Sequence, residues 1–174
     1  SYLFEEQDFT DEEIKTHMRN AIDAAQKLIM RHVPGGGTTL TMVLVLNHRL
    51  FSAHVGDSRL YILGLDGRLR LRTKDHSLVS RLVELGEITK QEAQHHVQRN
   101  VLTRALGQAE PFVADLDQFY LEKGERIMLC SDGLWGVLEE QELFKIVNRR
   151  QRLEELACEL VKEANKQGGP DNIS

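Results

Sequence analysis

Between Thr38 and Thr73 the chain alternates short apolar runs with tight turn signals, and this limits the folds open to it. Thr38 to Leu46 is rich in β-branched and apolar residues and predicts a strand. Asn47-His48-Arg49 turns the chain into a return strand, Leu50 to Val55. Gly56-Asp57-Ser58 breaks that strand before a third, Arg59 to Leu63. Asp66-Gly67 is a hairpin signal leading to a fourth, Arg68 to Thr73. Such a succession reads as an antiparallel meander.

Helices are expected on either side of this block. Thr10-Asp11-Glu12-Glu13 is a capping box, and Ile14, Met18, Ile22 and Ile29 recur at helical spacing, so a helix runs from Asp11 to about His32. Pro34-Gly35-Gly36-Gly37 ends it. Ser77 to Leu85 predicts a short helix closed by Gly86, and Thr89 to Glu92 a second capping box. His95 to Arg99 reads as irregular, and the alternation in Val101 to Leu106 fits a short strand. Residues 75–107 thus form one excursion from the sheet, of the kind that carries substrate contacts. Phe112 to Leu121 and Arg126 to Cys130 are further strands, followed by helices from Glu139 to Val147 and from Leu153 to about Ala164. Strands in runs with helices around them favour an α+β fold, antiparallel sheet with helices outside, over a doubly wound parallel one. At 174 residues, this is one domain, with no internal repeat or linker.

Composition removes several functions. A net charge of 22 − 27 = −5 argues against a nucleic-acid surface. No apolar run approaches the ~20 residues of a membrane span. Cys130 and Cys158 both fall in apolar patterns and read as small buried hydrophobes in a reducing, cytoplasmic compartment. There is no Walker or dinucleotide loop, no Cys-x-x-Cys, no His-Glu-x-x-His and no Gly-x-Ser-x-Gly.

What remains is a set of aspartates in one local context. Asp57 follows Val55-Gly56, Asp132 follows the apolar run Ile127 to Cys130 and Ser131, and Asp171 follows Gly169-Pro170. Each stands at or beside a strand end in a glycine-containing turn. Taken alone, Ser131-Asp132-Gly133 is a solvated turn. Repeated three times, the pattern supplies the oxygen-only ligands that suit Mg²⁺ or Mn²⁺. His54 reads as a packed core histidine and His76 as a capping or turn residue. His95-His96 point apart and make a poor metal pair. Arg99, Arg104, Arg149 and Arg150 have the chemistry to bind phosphate, but each reads first as solvated or structural.

Six segments, in order, resemble the protein phosphatase 2C family. They are Gly37-Thr38-Thr39, Ala53 to Tyr61, Asp75-His76-Ser77, Leu102 to Gly107, Leu129 to Leu134 and Gly169 to Ile173. Leu82 to Thr89 is similar to the flap of its bacterial branch. The resemblance implies an αββα sandwich of two antiparallel sheets, and makes 75–107 the flap. It implies hydrolysis of phosphoserine and phosphothreonine in proteins, a Ser/Thr kinase among the substrates, with two to three Mg²⁺ or Mn²⁺ ions and attack by a hydroxide bridging two of them. By position, Asp132 and Asp171 resemble ligands of the first catalytic metal. Asp57, with Asp132 again, resembles the pair holding a third, weaker metal, and Asn172 a residue orienting that shell. The family pattern opens with an Arg, Asn-Glu-Asp and Asp-Gly-Met-Gly-Gly-His, none of which occurs before Pro34. The resemblance therefore implies a single phosphatase-like domain over 1–174, truncated and incomplete at both ends. It would lack the phosphate-binding arginine, the aspartate bridging both metals and the last strand. Ser1 to Phe4 fits either the strand after Asn-Glu-Asp or the approach to the first helix. Two alternatives follow: an inactive phosphatase-like module that binds a kinase or regulator, and a plain calcium- or magnesium-binding structural domain.

Overall fold

The computed structural model describes residues 9–108 and 112–174. The expectation for Ser1 to Phe4 lies outside them. Helix α1, Asp11–His32, starts at the Thr10–Glu13 capping box, whose two reciprocal bonds are both present. Strands β1 (Leu40–Leu46) and β2 (Arg49–Val55) form a hairpin. Its loop is Asn47-His48, both at positive φ (46° and 64°), the left-handed pair that a two-residue turn between twisted strands needs.

The expected meander is not a single sheet. At Gly56-Asp57-Ser58 the chain leaves the first sheet and enters a second. β3 (Arg59–Leu63) pairs with β4 (Leu69–Leu71) and β6 (Arg126–Cys130), while β2 pairs with β1 and β5 (Asp115–Tyr120). Every pairing is antiparallel. Alternation in each strand then decides which layer a side chain joins. In β2, Phe51, Ala53 and Val55 pack against Ile14, Met18 and Ile22 of α1. Leu50 turns the other way and meets Leu60 and Ile62 of β3 between the sheets. Tyr61 and Leu63 of β3 face outward onto Leu143, Ile146, Leu156 and Leu160. These last belong to α5 (Glu140–Val147) and α6 (Leu153–Lys166). The order is helix, sheet, sheet, helix, as the resemblance implies.

Between β4 and β5 run α2 (Leu78–Glu84), capped by Ser77, and α3 (Lys90–Gln94), with its own capping box at Thr89. Val101 to Leu106 is not a strand. It makes only two isolated bridges, Ser77 to Leu102 and Thr38 to Leu106, because it ties the excursion down rather than joining a ladder. β5 starts at Asp115, later than Phe112. Cys130 is buried, with its thiol pushed up to about 12 by desolvation, but Cys158 lies on the exposed side of α6 and is not a core residue. Helical spacing alone did not separate position 158 from the buried Leu156 and Leu160.

Candidate metal centre

Asp57 sits where the chain changes sheets, and several contacts hold that turn. Gly56 has φ +105°, and a Cβ there would lie 2.6 Å from Thr39 Cβ, so only glycine fits against Thr39, the residue before β1. The Thr39 and Ser58 hydroxyls are 3.0 Å apart, and Thr41 Oγ1 donates to Ser58 O at 2.9 Å. Trp135 Nε1–H donates to Asp57 O at 2.9 Å. The Arg59 guanidinium lies 3.5 Å from the centre of the Trp135 ring and grips Asp75 with two bonds, 2.9 and 2.6 Å. None of the Trp135, Arg59 and Asp75 contacts was anticipated from sequence.

Asp132 does not sit in a turn. It is the first residue of a short helix, α4 (Asp132–Trp135), with Ser131 before it. The next residue, Gly133, is buried against the loop carrying Asp171. A Cβ at Gly133 would lie 2.9 Å from the Asn172 carbonyl carbon and nearer still to its oxygen. Ser131 Oγ–H donates to Asn172 O at 3.2 Å, and Ser131 N–H to Ser174 O at 3.1 Å. The Asn172 N–H donates to Asp171 Oδ1 at 2.7 Å. The 171–173 loop is thus clamped onto the residues flanking Asp132. Asn172 makes these contacts through its main chain, not its side chain.

Asp57 and Asp132 are electrostatically joined. The Asp57 carboxyl is pushed up to about 6, first by burial, then by the negative charges of Asp132 and Asp75. A buried carboxylate facing like charges is what a hard divalent cation relieves, and an all-oxygen donor set suits Mg²⁺ or Mn²⁺. The residues present therefore fit such an ion, with waters completing the shell. Among the described residues no three His, Cys, Asp or Glu side chains close a cage by themselves. Asp171 is exposed, on the loop packed against Gly133.

The expected histidine roles divide. His54 is a core residue, with Nδ1 2.8 Å from the Thr41 hydroxyl and Nε2 3.1 Å from Lys74 O. His76 caps no helix, since Ser77 does that. It is buried in a bonded series with Asp115 and Arg104. Arg104 is thereby occupied by a carboxylate, and Arg149 pairs with Glu159. A cavity of about 300 Å³ opens beside these groups, lined by Asp75, His76, Ser77, Arg81, Thr103 and Arg104 among others.

His54 gives a pH prediction. Burial, then the neighbouring His76, lower its pKa from 6.5 to about 4. The folded state therefore binds fewer protons than the unfolded state between these values, and stability is lost as pH falls from 6.5 towards 4. A shift of that size is worth about 3 kcal/mol. Asp57, raised to about 6, titrates over the same window with the opposite sign, so His54 is read from the difference: relative to His54→Gln, the urea midpoints of the metal-free protein should fall as pH drops across this window. Equal slopes in the two proteins would contradict the assignment.

A protein phosphatase 2C model matches residues 3–173. The chain belongs to the protein phosphatase 2C family. It is 41% identical over 140 residues to a putative protein phosphatase 2C-type from Streptococcus pyogenes, covering 80% of this chain and 56% of that relative. Its fold superposes on the Streptococcus agalactiae serine/threonine phosphatase with a TM-score of 0.89 at 36% identity, covering 97% of this chain and 72% of the other. It also superposes on the catalytic domain of the serine/threonine protein phosphatase PstP in complex with two manganese ions, with a TM-score of 0.79 at 32% identity, covering 93% of this chain and 67% of the other. The chain spans little more than half the length of the S. pyogenes relative.

Proposed function

We propose that the protein is a metal-dependent serine/threonine phosphatase acting on phosphoserine and phosphothreonine in other proteins, a Ser/Thr kinase among them. The observation that carries this reading is that Asp132 stands within electrostatic reach of the buried Asp57, whose carboxyl is raised first by burial and then by Asp132, with the Asp171 loop packed on Gly133. Family membership and a manganese-bound relative support it. Asp132 and Asp171 would hold one catalytic ion, and Asp57 with Asp132 a more weakly held one. Bound Mg²⁺ or Mn²⁺ supplies Lewis acidity toward the phosphoryl oxygens and a water of lowered pKa. The chain's own residues do the remaining work. Trp135 and Arg59 hold the Asp57 turn, and Ser131 holds the Asn172 main chain. Below about pH 6 Asp57 carries a proton that must leave when the ion enters, so affinity at that position falls as pH drops through about 6. Residues 75–107 act as the flap over the substrate protein. Among the described residues no helix is long and apolar enough to cross a membrane. Two free cysteines suit a reducing, cytoplasmic setting.

Diffraction at the manganese edge from crystals of the full-length protein soaked in Mn²⁺ tests the assignment. Anomalous peaks are expected against the carboxylates of Asp57, Asp132 and Asp171. Manganese elsewhere, with none at Asp132, would overturn it.

A further inference from the structure

His76 is the joint between the Asp57 turn and the root of the 75–107 excursion. Its four hydrogen-bonding groups face three different segments. Its main-chain N–H donates to Gly56 O at 2.7 Å, and the Gly56 N–H donates back to its Nδ1 at 3.2 Å. Its carbonyl accepts from Thr103 N–H at 2.8 Å, where the excursion returns. With Nδ1 accepting, the ring proton must be on Nε2, which donates to Asp115 Oδ2 at 2.9 Å. Asp115 is gripped in turn by Arg104, at 2.7 and 3.5 Å. Burial works against the charge on Asp115, but the Arg104 and His76 bonds outweigh it and keep its pKa low, so it stays an acceptor. The His54 ring, 4.8 Å away centre to centre, packs on the imidazole and fixes its tilt. The side chain is 1% exposed, so no water competes for either nitrogen.

We infer that His76 is a positioning residue: its imidazole, held in one tautomer by Asp115 and Arg104, fixes the Val55-Gly56 peptide while its main-chain N–H holds the Gly56 carbonyl, so that Gly56 is pinned on both sides and the Asp57 carboxylate is aimed. The inference rests on the metal reading of Asp57 given above. The His76 ring touches no substrate and no ion. It acts through Gly56, one residue from the ligand. Because the carbonyl of the same residue accepts from Thr103, a displacement of the excursion is passed to the Asp57 turn through one residue.

Two substitutions separate this role from simple core packing. Asn can put an amide oxygen where Nδ1 lies and keep the Gly56 bond, while losing Asp115. Gln reaches toward Asp115 and gives up the Gly56 bond. Calorimetric Mn²⁺ titration of the full-length protein should show the weakest site loosened about tenfold or more in His76→Gln. In His76→Asn it should stay within about threefold of the parent. In His76→Gln the Gly56 amide should also exchange with deuterium faster in EDTA, where no metal is bound. Equal Mn²⁺ affinities in the two variants, or a greater loss in His76→Asn, would overturn the inference. Should neither variant fold, the parent decides: long-range ¹⁵N spectra must show Nδ1 unprotonated and Nε2 protonated, and the opposite tautomer ends the proposal. Absence of Mn²⁺ binding in the parent would instead refute the metal reading, leaving the Gly56 exchange and the tautomer to judge the strut alone.

Discussion

In the full-length protein, Asp132→Asn lowers Mn²⁺-dependent phosphate release from a phosphothreonine peptide by more than about a hundredfold, and Asp57→Asn by clearly less. The first figure follows from what neighbouring residues cost: groups that merely orient a metal ligand are worth about 10–100-fold, so a ligand shared between two ions is worth more. The difference follows from position. Asp132 lies between the Asp57 turn and the Asp171 loop, reaching Asp57 electrostatically and flanked by the residues that clamp Asn172. Asp57 joins only the first of these. Its replacement also removes a buried carboxyl that repels Asp132 and Asp75, which compensates in the metal-free fold but not in turnover. Steady-state rates at saturating Mn²⁺ distinguish the two. Equal losses would show that the roles are wrongly divided.

Gly133→Ala is expected to be nearly as severe, although it removes no ligand. The added methyl meets the Asn172 peptide at a distance that real Cβ atoms do not show, and the obstacle is main chain, which cannot rotate away. The 171–173 loop must move off α4 and take Asp171 with it. A displacement of about 1 Å at a reacting centre costs on the order of a hundredfold in rate. The damage should be local. The packing of α1 on β2, through Ile14, Met18 and Phe51, is remote from it. Turnover and Mn²⁺ affinity should therefore collapse while the thermal transition moves little. Parent-like turnover in Gly133→Ala would mean that the Asp171 loop has no part in the site.

The local features were the legible ones. Thr10 and Glu13 announced α1 because a capping box is settled within four residues, and Asn47-His48 announced the hairpin for the same reason. The change of sheet at Gly56 was hidden. Alternation in β2 and β3 reads alike whether the strands pair with each other or stack in separate layers. The resemblance supplied the two sheets where periodicity offered one. Asp57, Asp132 and Asp171 were singled out by their repeated glycine context. The helical start at Asp132 was masked by Ser-Asp-Gly, which serves as well for a turn. What holds the site was least visible. Asp115 is an ordinary aspartate at a strand start, and its bond to His76 spans 39 residues. Trp135, the chain's one tryptophan, and Arg59, noted only as part of the Ala53 to Tyr61 segment, gave no sign of their stacking. Such partners are selected by three-dimensional proximity, which no spacing rule records.

The most direct measurement is phosphate release from a phosphothreonine peptide by the full-length protein, with Mn²⁺ and again with EDTA. Release that requires Mn²⁺ and disappears with the chelator is the predicted result. Release that survives EDTA, or none at any Mn²⁺ concentration, would contradict a phosphatase built on Asp57, Asp132 and Asp171.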